Sequence, residues 1–213
     1  MSDPQFTLIY DTYCGWCYGA APIFDVLVQA DIHITALHRR LFQGGAQLKM
    51  SNGFGQFAER ADQRIAQQTG QPFSQTYVTQ ILRSKTEELN SELTARAAVL
   101  VHPQGAATEM ALAHRLQKAR YVDGLSASDP EPIIAALQPL LDGSMTEQQI
   151  RAALASESLS VEATAIAQRA EALMQRVGSS GVPTLVCTVN GQHQVISLEP
   201  FFQAPEQILS ILN

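Results

Sequence analysis

The spacing of apolar and polar positions changes character twice along this chain. Phe6-Thr7-Leu8-Ile9-Tyr10 is a short run of strand length and composition. A second strand is predicted over residues 32–37, where Ile32, Ile34 and Ala36 alternate with His33, Thr35 and His38. Residues 15–30, between the two, are compatible with one helix. The opening of the chain therefore predicts a compact β-α-β unit. After Gln43-Gly44-Gly45 the strand pattern disappears, and residues 54–177 carry dense helix signals with no convincing strand.

Several of those signals have a clear mechanism. Ser84, Glu87, Asn90 and Glu92 precede a run in which Leu93, Ala97, Leu100 and Val101 share one helical face. Asp129-Pro130 offers a capping carboxylate followed by a proline in the first turn. Met145-Thr146-Glu147-Gln148 starts another short helix. Residues 160–177 predict a long one that stops at Gly178. Strand character returns in Thr184-Leu185-Val186-Cys187-Thr188-Val189 and Gln194-Val195-Ile196-Ser197, separated by Asn190-Gly191, the strongest short hairpin signal. Residues 204–212 close the chain as a predicted amphipathic helix. The ends, β-α-β and β-β-α, combine into one α/β sheet domain, residues 1–50 plus 178–213, interrupted by a helical insertion, residues 51–177.

Composition narrows the function classes. A net charge of −6 over 213 residues argues against a nucleic-acid partner or an anionic membrane surface. The one tight basic cluster, His38-Arg39-Arg40, reads as a solvated strand end. No apolar run has the length to cross a bilayer, and Met1-Ser2-Asp3-Pro4-Gln5-Phe6 lacks the features of a secretory leader. With only three cysteines, too few for a disulfide framework, the expectation is a cytoplasmic protein.

Against that background, Cys14-Gly15-Trp16-Cys17 stands out. The pair follows a strand and opens a helix, where unpaired N–H groups and the positive end of the helix dipole favour thiolate over thiol. A second thiol one turn on can resolve a mixed disulfide. A zinc site would need about four ligands, and no second Cys or His pair completes one, so no metal is expected. The setting is that of a thioredoxin-type redox motif. Cys187 lies among apolar neighbours and reads as a buried structural thiol. Asp11 either starts the loop and caps the helix that follows or transfers protons, and its place at the strand end predicts exposure. His33, His102, His114 and His193 have no partner readable in the sequence.

These residues resemble the DsbA-like thiol–disulfide oxidoreductases, including their cytoplasmic FrnE-type branch. Asp11, Cys14, Trp16, Cys17 and Tyr18 carry the resemblance at one end, and Gly181-Val182-Pro183-Thr184 at the other. It implies a thioredoxin-like fold with a large all-helical insertion. It also implies Cys14 as attacking thiolate, Cys17 as resolving thiol and Pro183 as a cis-proline facing the sulfurs. The backbone of Val182, with Trp16 nearby, would bind a peptide as an added strand. The substrate would be a thiol- or disulfide-containing protein or peptide, with glutathione a candidate thiol, and no cofactor is called for. Two departures matter. Leu8 stands where relatives often bury an acid, and Gly15-Trp16 replaces the Pro-His pair of strongly oxidising DsbA, which predicts a less oxidising couple. The alternative reading is a glutathione-dependent transferase or isomerase of the kappa-class or hydroxychromene-carboxylate isomerase type; Cys14 with Cys17 counts against it, because such relatives usually carry serine.

Overall fold

The structure, a computed structural model, describes residues 3–30 and 32–211. Strands β1 (Gln5–Tyr10), β2 (His33–His38), β3 (Thr184–Val189) and β4 (Gln192–Ile196) form one sheet in the order β2-β1-β3-β4. β1 runs parallel to β2 and antiparallel to β3, and β3 and β4 are antiparallel. The register sets Leu8 between Ala36 and Leu185, and Tyr10 beside His38. β1 is thus central, which suits its apolar composition: Leu8, Ile9 and Tyr10 are all buried. Asn190 and Gly191 turn β3 into β4 with φ of 50° and 76°, as the Asn-Gly pair predicts.

The helix predicted over residues 15–30 is two helices, α1 (Gly15–Gly19) and α2 (Ala21–Gln29), joined at Ala20. Pro22 explains the break: it has no N–H to donate, and its ring crowds the carbonyl of Tyr18. The insertion adds α3 (Phe54–Thr69), α4 (Gln75–Tyr77), α5 (Glu92–Val101), α6 (Ala106–Tyr121), α7 (Pro130–Leu137), α8 (Glu147–Ala155) and α9 (Glu157–Arg176). α4 continues into one π-helical turn, Val78–Leu82. Asp129 caps α7 through the Glu131 N–H, and Thr146 with Gln149 forms a capping box on α8. α9 begins earlier than its apolar pattern suggests, capped by Ser156.

Two expectations are corrected here. Ser84 does not cap α5; its hydroxyl accepts from the N–H groups of Thr86 and Glu87 in a turn, and Asn90 accepts from the Glu92 N–H at the helix start. The C-terminal segment is not an α-helix but a 3₁₀ run, Pro205–Ile211; Leu212 lies outside the described residues.

Apolar burial is organised in two cores. In the first, Leu8, Ile9, Phe24 and Leu27 of the sheet domain meet Met110 of α6 and Met174 of α9. The second lies within the insertion, around Leu116, Leu137, Ile150 and Leu154. α6 serves both, presenting Met110 and Ala113 to the sheet and Leu112 and Leu116 to the bundle. Met110, Leu112 and Leu116 each contribute about 1.5–3 kcal/mol on burial, so α6 ties the insertion to the sheet. No described helix is long and apolar enough to cross a membrane.

The contact that sets the height of α3 is backbone against backbone: a Cβ added at Gly55 would lie 2.0 Å from the Leu82 carbonyl oxygen. Gly55→Ala is expected to destabilise the fold by about 1–3 kcal/mol, the usual cost of overpacking. Urea denaturation measures it, and an unchanged midpoint would show that α3 shifts freely.

Candidate active site

β1 ends at Tyr10, and the chain turns through Asp11, Thr12 and Tyr13 into Cys14, the N-cap of α1. Cys14 is extended (φ −79°, ψ 122°), and its carbonyl accepts the first helical bond, from the Tyr18 N–H at 3.0 Å. Both cysteines are free thiols. Cys14 retains 8% exposure and its thiol donates to the Val182 carbonyl at 3.4 Å. Cys17 is fully buried and accepts from the Asp11 N–H at 3.5 Å. Burial first, and then its hydrogen bond with Cys14, push the Cys17 thiol well above the ordinary thiol range.

The Val182–Pro183 peptide is cis, and it leads into β3 beside the cysteines. Trp16 is half-buried and stacks on Phe202, with ring centroids 5.8 Å apart. It walls two cavities. One, of ≈ 490 Å³, is open and bordered by Arg64, Ser179, Ser180, Val182 and Pro183. The other, of ≈ 210 Å³, is apolar; Cys14, Phe42, Phe54 and Ala61 line it, with Asp62 and Arg120 as its charged-type residues.

Asp11 differs from expectation. It is completely buried, not exposed: its carboxylate accepts from the N–H groups of Tyr13 (2.9 Å) and Leu41 (2.8 Å) and from the Ser91 hydroxyl (2.9 Å). The chain after β2 and the residue before α5 fold over the loop, and neither was visible from position 11. His38-Arg39-Arg40 is not a solvated end either. His38 is 2% exposed, and burial lowers its pKa. Arg39 pairs with Glu171 and Arg40 with Glu92, each at 2.7 Å.

Tyr18 is buried and stacked on Tyr121, so of the two aromatics in the motif only Trp16 faces the cavities. His102 pairs with Glu109 at 2.7 Å, and Glu109 accepts from the Tyr10 hydroxyl at 2.9 Å. His114 pairs with Asp25, and His193 bonds to Thr188. Cys187 is only partly buried, on β3 opposite Phe6; Ile9, at the cysteine end of β1, pairs instead with Thr184.

The insertion brings in residues that sequence reasoning did not reach. Asp62 of α3 is 6% exposed and accepts from the Tyr77 hydroxyl at 2.9 Å. Burial raises its pKa to about 7, against the Tyr77 bond and the Arg120 charge, which lower it. Arg120 is 2% exposed, paired with Glu87 at 2.8 Å, and lies over the Tyr13 ring at 5.1 Å. One signal was readable: Gly15 and Gly19 sit four apart on one helical face. A Cβ at either would come within 3.0 Å of Ile65, so the two glycines admit α3 against α1.

The matched family model covers residues 7–208 and is described as a DSBA-like thioredoxin domain. The chain belongs to that family. Membership gives it the DsbA-like thioredoxin fold and places it among oxidoreductase enzymes. Among solved structures, cytosolic disulfide reductase DsbM from Pseudomonas aeruginosa superposes with a TM-score of 0.83 at 23% identity, over 98% of this chain and 96% of that one. A second DsbM structure, with GSH, gives 0.79 at 25% identity over the same shares. A DsbA variant from the same organism gives 0.50 at 13%, over 99% of this chain and 83% of that one. No curated protein sequence matches the chain.

Because Asp62 holds its proton far above the ordinary carboxyl range, this carboxyl binds more proton in the fold than in the unfolded chain between about pH 4 and pH 7. Its contribution to stability is complete at low pH and is lost as pH rises through about 7. Asp62→Asn is therefore expected to leave stability near the parent value at pH 4 and to exceed it by about 2–4 kcal/mol at pH 8.5. Urea unfolding at both pH values tests this, and a difference independent of pH would mean that the carboxyl titrates normally in the fold.

Proposed function

We propose that the protein is a thiol–disulfide oxidoreductase working through Cys14 and Cys17. The observation that carries this reading is the Cys14 thiol, at the head of α1, reaching the Val182 carbonyl beside the cis bond to Pro183. Cys14 is the attacking thiolate: it is the more exposed of the two and opens a helix whose first N–H groups lack intrahelical acceptors. Cys17, sealed behind it, is the resolving thiol. Substrate disulfide exchange forms a Cys14 mixed disulfide and releases one thiol. Attack by Cys17 then closes the Cys14–Cys17 disulfide and releases the second. Two electrons pass from the dithiol to the substrate, and no cofactor is needed.

Trp16, Val182 and Pro183 bind the substrate, with the Val182 backbone free to pair with an extended peptide once the Cys14 thiol releases it. Asp11 positions the loop; with three donors on its carboxylate it is poorly suited to proton transfer. In this reading residues 1–50 and 178–213 carry the redox chemistry, and residues 51–177 supply the far wall of the site. The likeness to DsbM, described as a cytosolic disulfide reductase and solved with GSH, supports a cytosolic setting and glutathione among the thiols exchanged. The full burial of Cys17 against Cys14 favours a dithiol enzyme over a single-nucleophile transferase.

Cys17→Ser is expected to accumulate a stable mixed disulfide with glutathione, visible by mass, while Cys14→Ser forms none. Equal adduct formation by both would reverse the assigned roles. The reduction potential, titrated in a glutathione buffer through Trp16 fluorescence, is expected well below the about −120 mV of DsbA. The segment between the cysteines holds no cation, and the nearby Arg120 is tied to Glu87. A value as high as that of DsbA overturns this expectation.

A further inference from the structure

Helix α3 divides the surroundings of Cys14 into two unlike spaces. Arg64 and Gln68 face the open cavity beside Pro183, together with Ser179, Ser180 and the Val182 backbone; Glu199 also borders it. One face round, Ala58, Ala61, Asp62 and Ile65 line the smaller cavity, spaced as one helical stripe should be. Trp16 stands in both walls. Cys14 lines the smaller cavity, while its thiol bonds to Val182 of the larger one. A disulfide reaching this sulfur has two halves to place, and two spaces of different chemistry meet there.

The smaller cavity suits an uncharged group. Phe42, Met50, Phe54 and Phe57 are part of its mainly apolar lining. The Arg120 charge is consumed by Glu87, which also accepts from the Ser126 hydroxyl and the Ala127 N–H. Asp62 has Oδ2 on the Tyr77 hydroxyl and Oδ1 toward Gly15, where an added Cβ would lie 3.0 Å away. A volume of ≈ 210 Å³ exceeds the roughly 150 Å³ of a cavity known to hold benzene. An anionic thiol would instead meet a desolvated carboxyl group and an aromatic lining.

We propose that this cavity is a second substrate subsite, taking the uncharged, ring-sized thiol half of a low-molecular-weight mixed disulfide whose polar, peptide-like half occupies the open cavity. The proposal rests on the Cys14/Cys17 redox reading. Cys14 thiolate attacks the sulfur of the peptide-like half. The Cys14–S bond forms and the substrate S–S bond breaks. The electron pair stays on the apolar half, whose sulfur takes the Asp62 proton and leaves as a neutral thiol; Asp62 recovers a proton from water. Cys17 then attacks Cys14, its proton going to the departing peptide-like thiolate. The dithiol has lost two electrons and the substrate disulfide has become two thiols. A glutathione-class thiol restores the dithiol, two thiols being oxidised to one disulfide.

Single-turnover oxidation of the reduced protein, followed by Trp16 fluorescence, tests this with three probes. They are the mixed disulfides of glutathione with benzyl mercaptan and with 2-mercaptoethanesulfonate, and glutathione disulfide itself. The benzyl compound is expected to react at least about tenfold faster than either anionic probe. Ala61→Phe, which fills the cavity, should bring that ratio near one. Phe57→Ala, at a 58% exposed position where misfolding is no concern, should lower it several-fold, and Asp62→Asn should lower it too. Equal rates in the parent, or an unchanged ratio in all three variants, overturn the subsite alone. An unfolded protein carrying an intact disulfide that outpaces the benzyl probe overturns the low-molecular-weight assignment. No oxidation by any probe overturns the redox reading, and the subsite with it.

Discussion

The carboxylate of Asp11 joins three separate stretches of chain at the base of the cysteine loop. It receives the Tyr13 N–H from the loop itself, the Leu41 N–H from the chain leaving β2, and the Ser91 hydroxyl from the residue preceding α5. A carboxylate buried without compensation costs several kcal/mol; one that accepts three hydrogen bonds is held in a single arrangement by that same cost. The arrangement decides where Cys14 begins its helix. The Asp11 backbone takes part as well, its N–H directed at the Cys17 sulfur and its carbonyl accepting from the Cys14 N–H at 3.2 Å. Both thiols are therefore referenced to one residue, and that residue is referenced to the insertion through Ser91.

The insertion is more than a cover on a sheet domain. α6 contributes to both cores, and α3 lies directly on the cysteine helix where Gly15 and Gly19 leave room. Its polar interior is costly by itself. Arg120 and Glu87 form a buried ion pair, and such pairs commonly add little net stability, whereas loss of either partner is severe. What the pair supplies here is position: the guanidinium lies over the Tyr13 ring, and the Tyr121 hydroxyl donates to the Tyr13 carbonyl at 2.8 Å. The residue before Cys14 is thus clamped from the insertion side while Asp11 holds it from the sheet side.

Local chemistry was legible in the sequence, and long-range chemistry was not. The cysteine pair, the Asn190-Gly191 turn and the caps at Asp129 and Thr146 each act over a few residues, so spacing alone identifies them. The split at Ala20 was also local and was missed because the apolar pattern runs through Pro22 without a gap. Asp11 is the opposite case. Two of its three partners are 30 and 80 positions away, so a strand-end aspartate looked exposed although the fold buries it. Arg120 and Glu87, 33 apart, one in α6 and the other in the irregular stretch before α5, leave no periodic trace of their pairing. The site was readable where it is made of consecutive residues, and unreadable where tertiary packing assembles it.

The two thiols show why that distinction bears on mechanism. A motif of two cysteines is nearly symmetrical on paper, yet one is 8% exposed and the other not at all. Desolvation disfavours the charged form of a buried sulfur, and that burden falls on Cys17. Cys17 also faces the Asp11 backbone, while the Cys14 thiol faces Val182, which precedes the cis bond and borders an open cavity. The order of reaction we propose rests on this asymmetry. In that reading Cys14 meets the incoming disulfide, and Cys17 acts on a sulfur already brought to Cys14. A buried second thiol needs no access of its own, because the first reaction delivers its substrate.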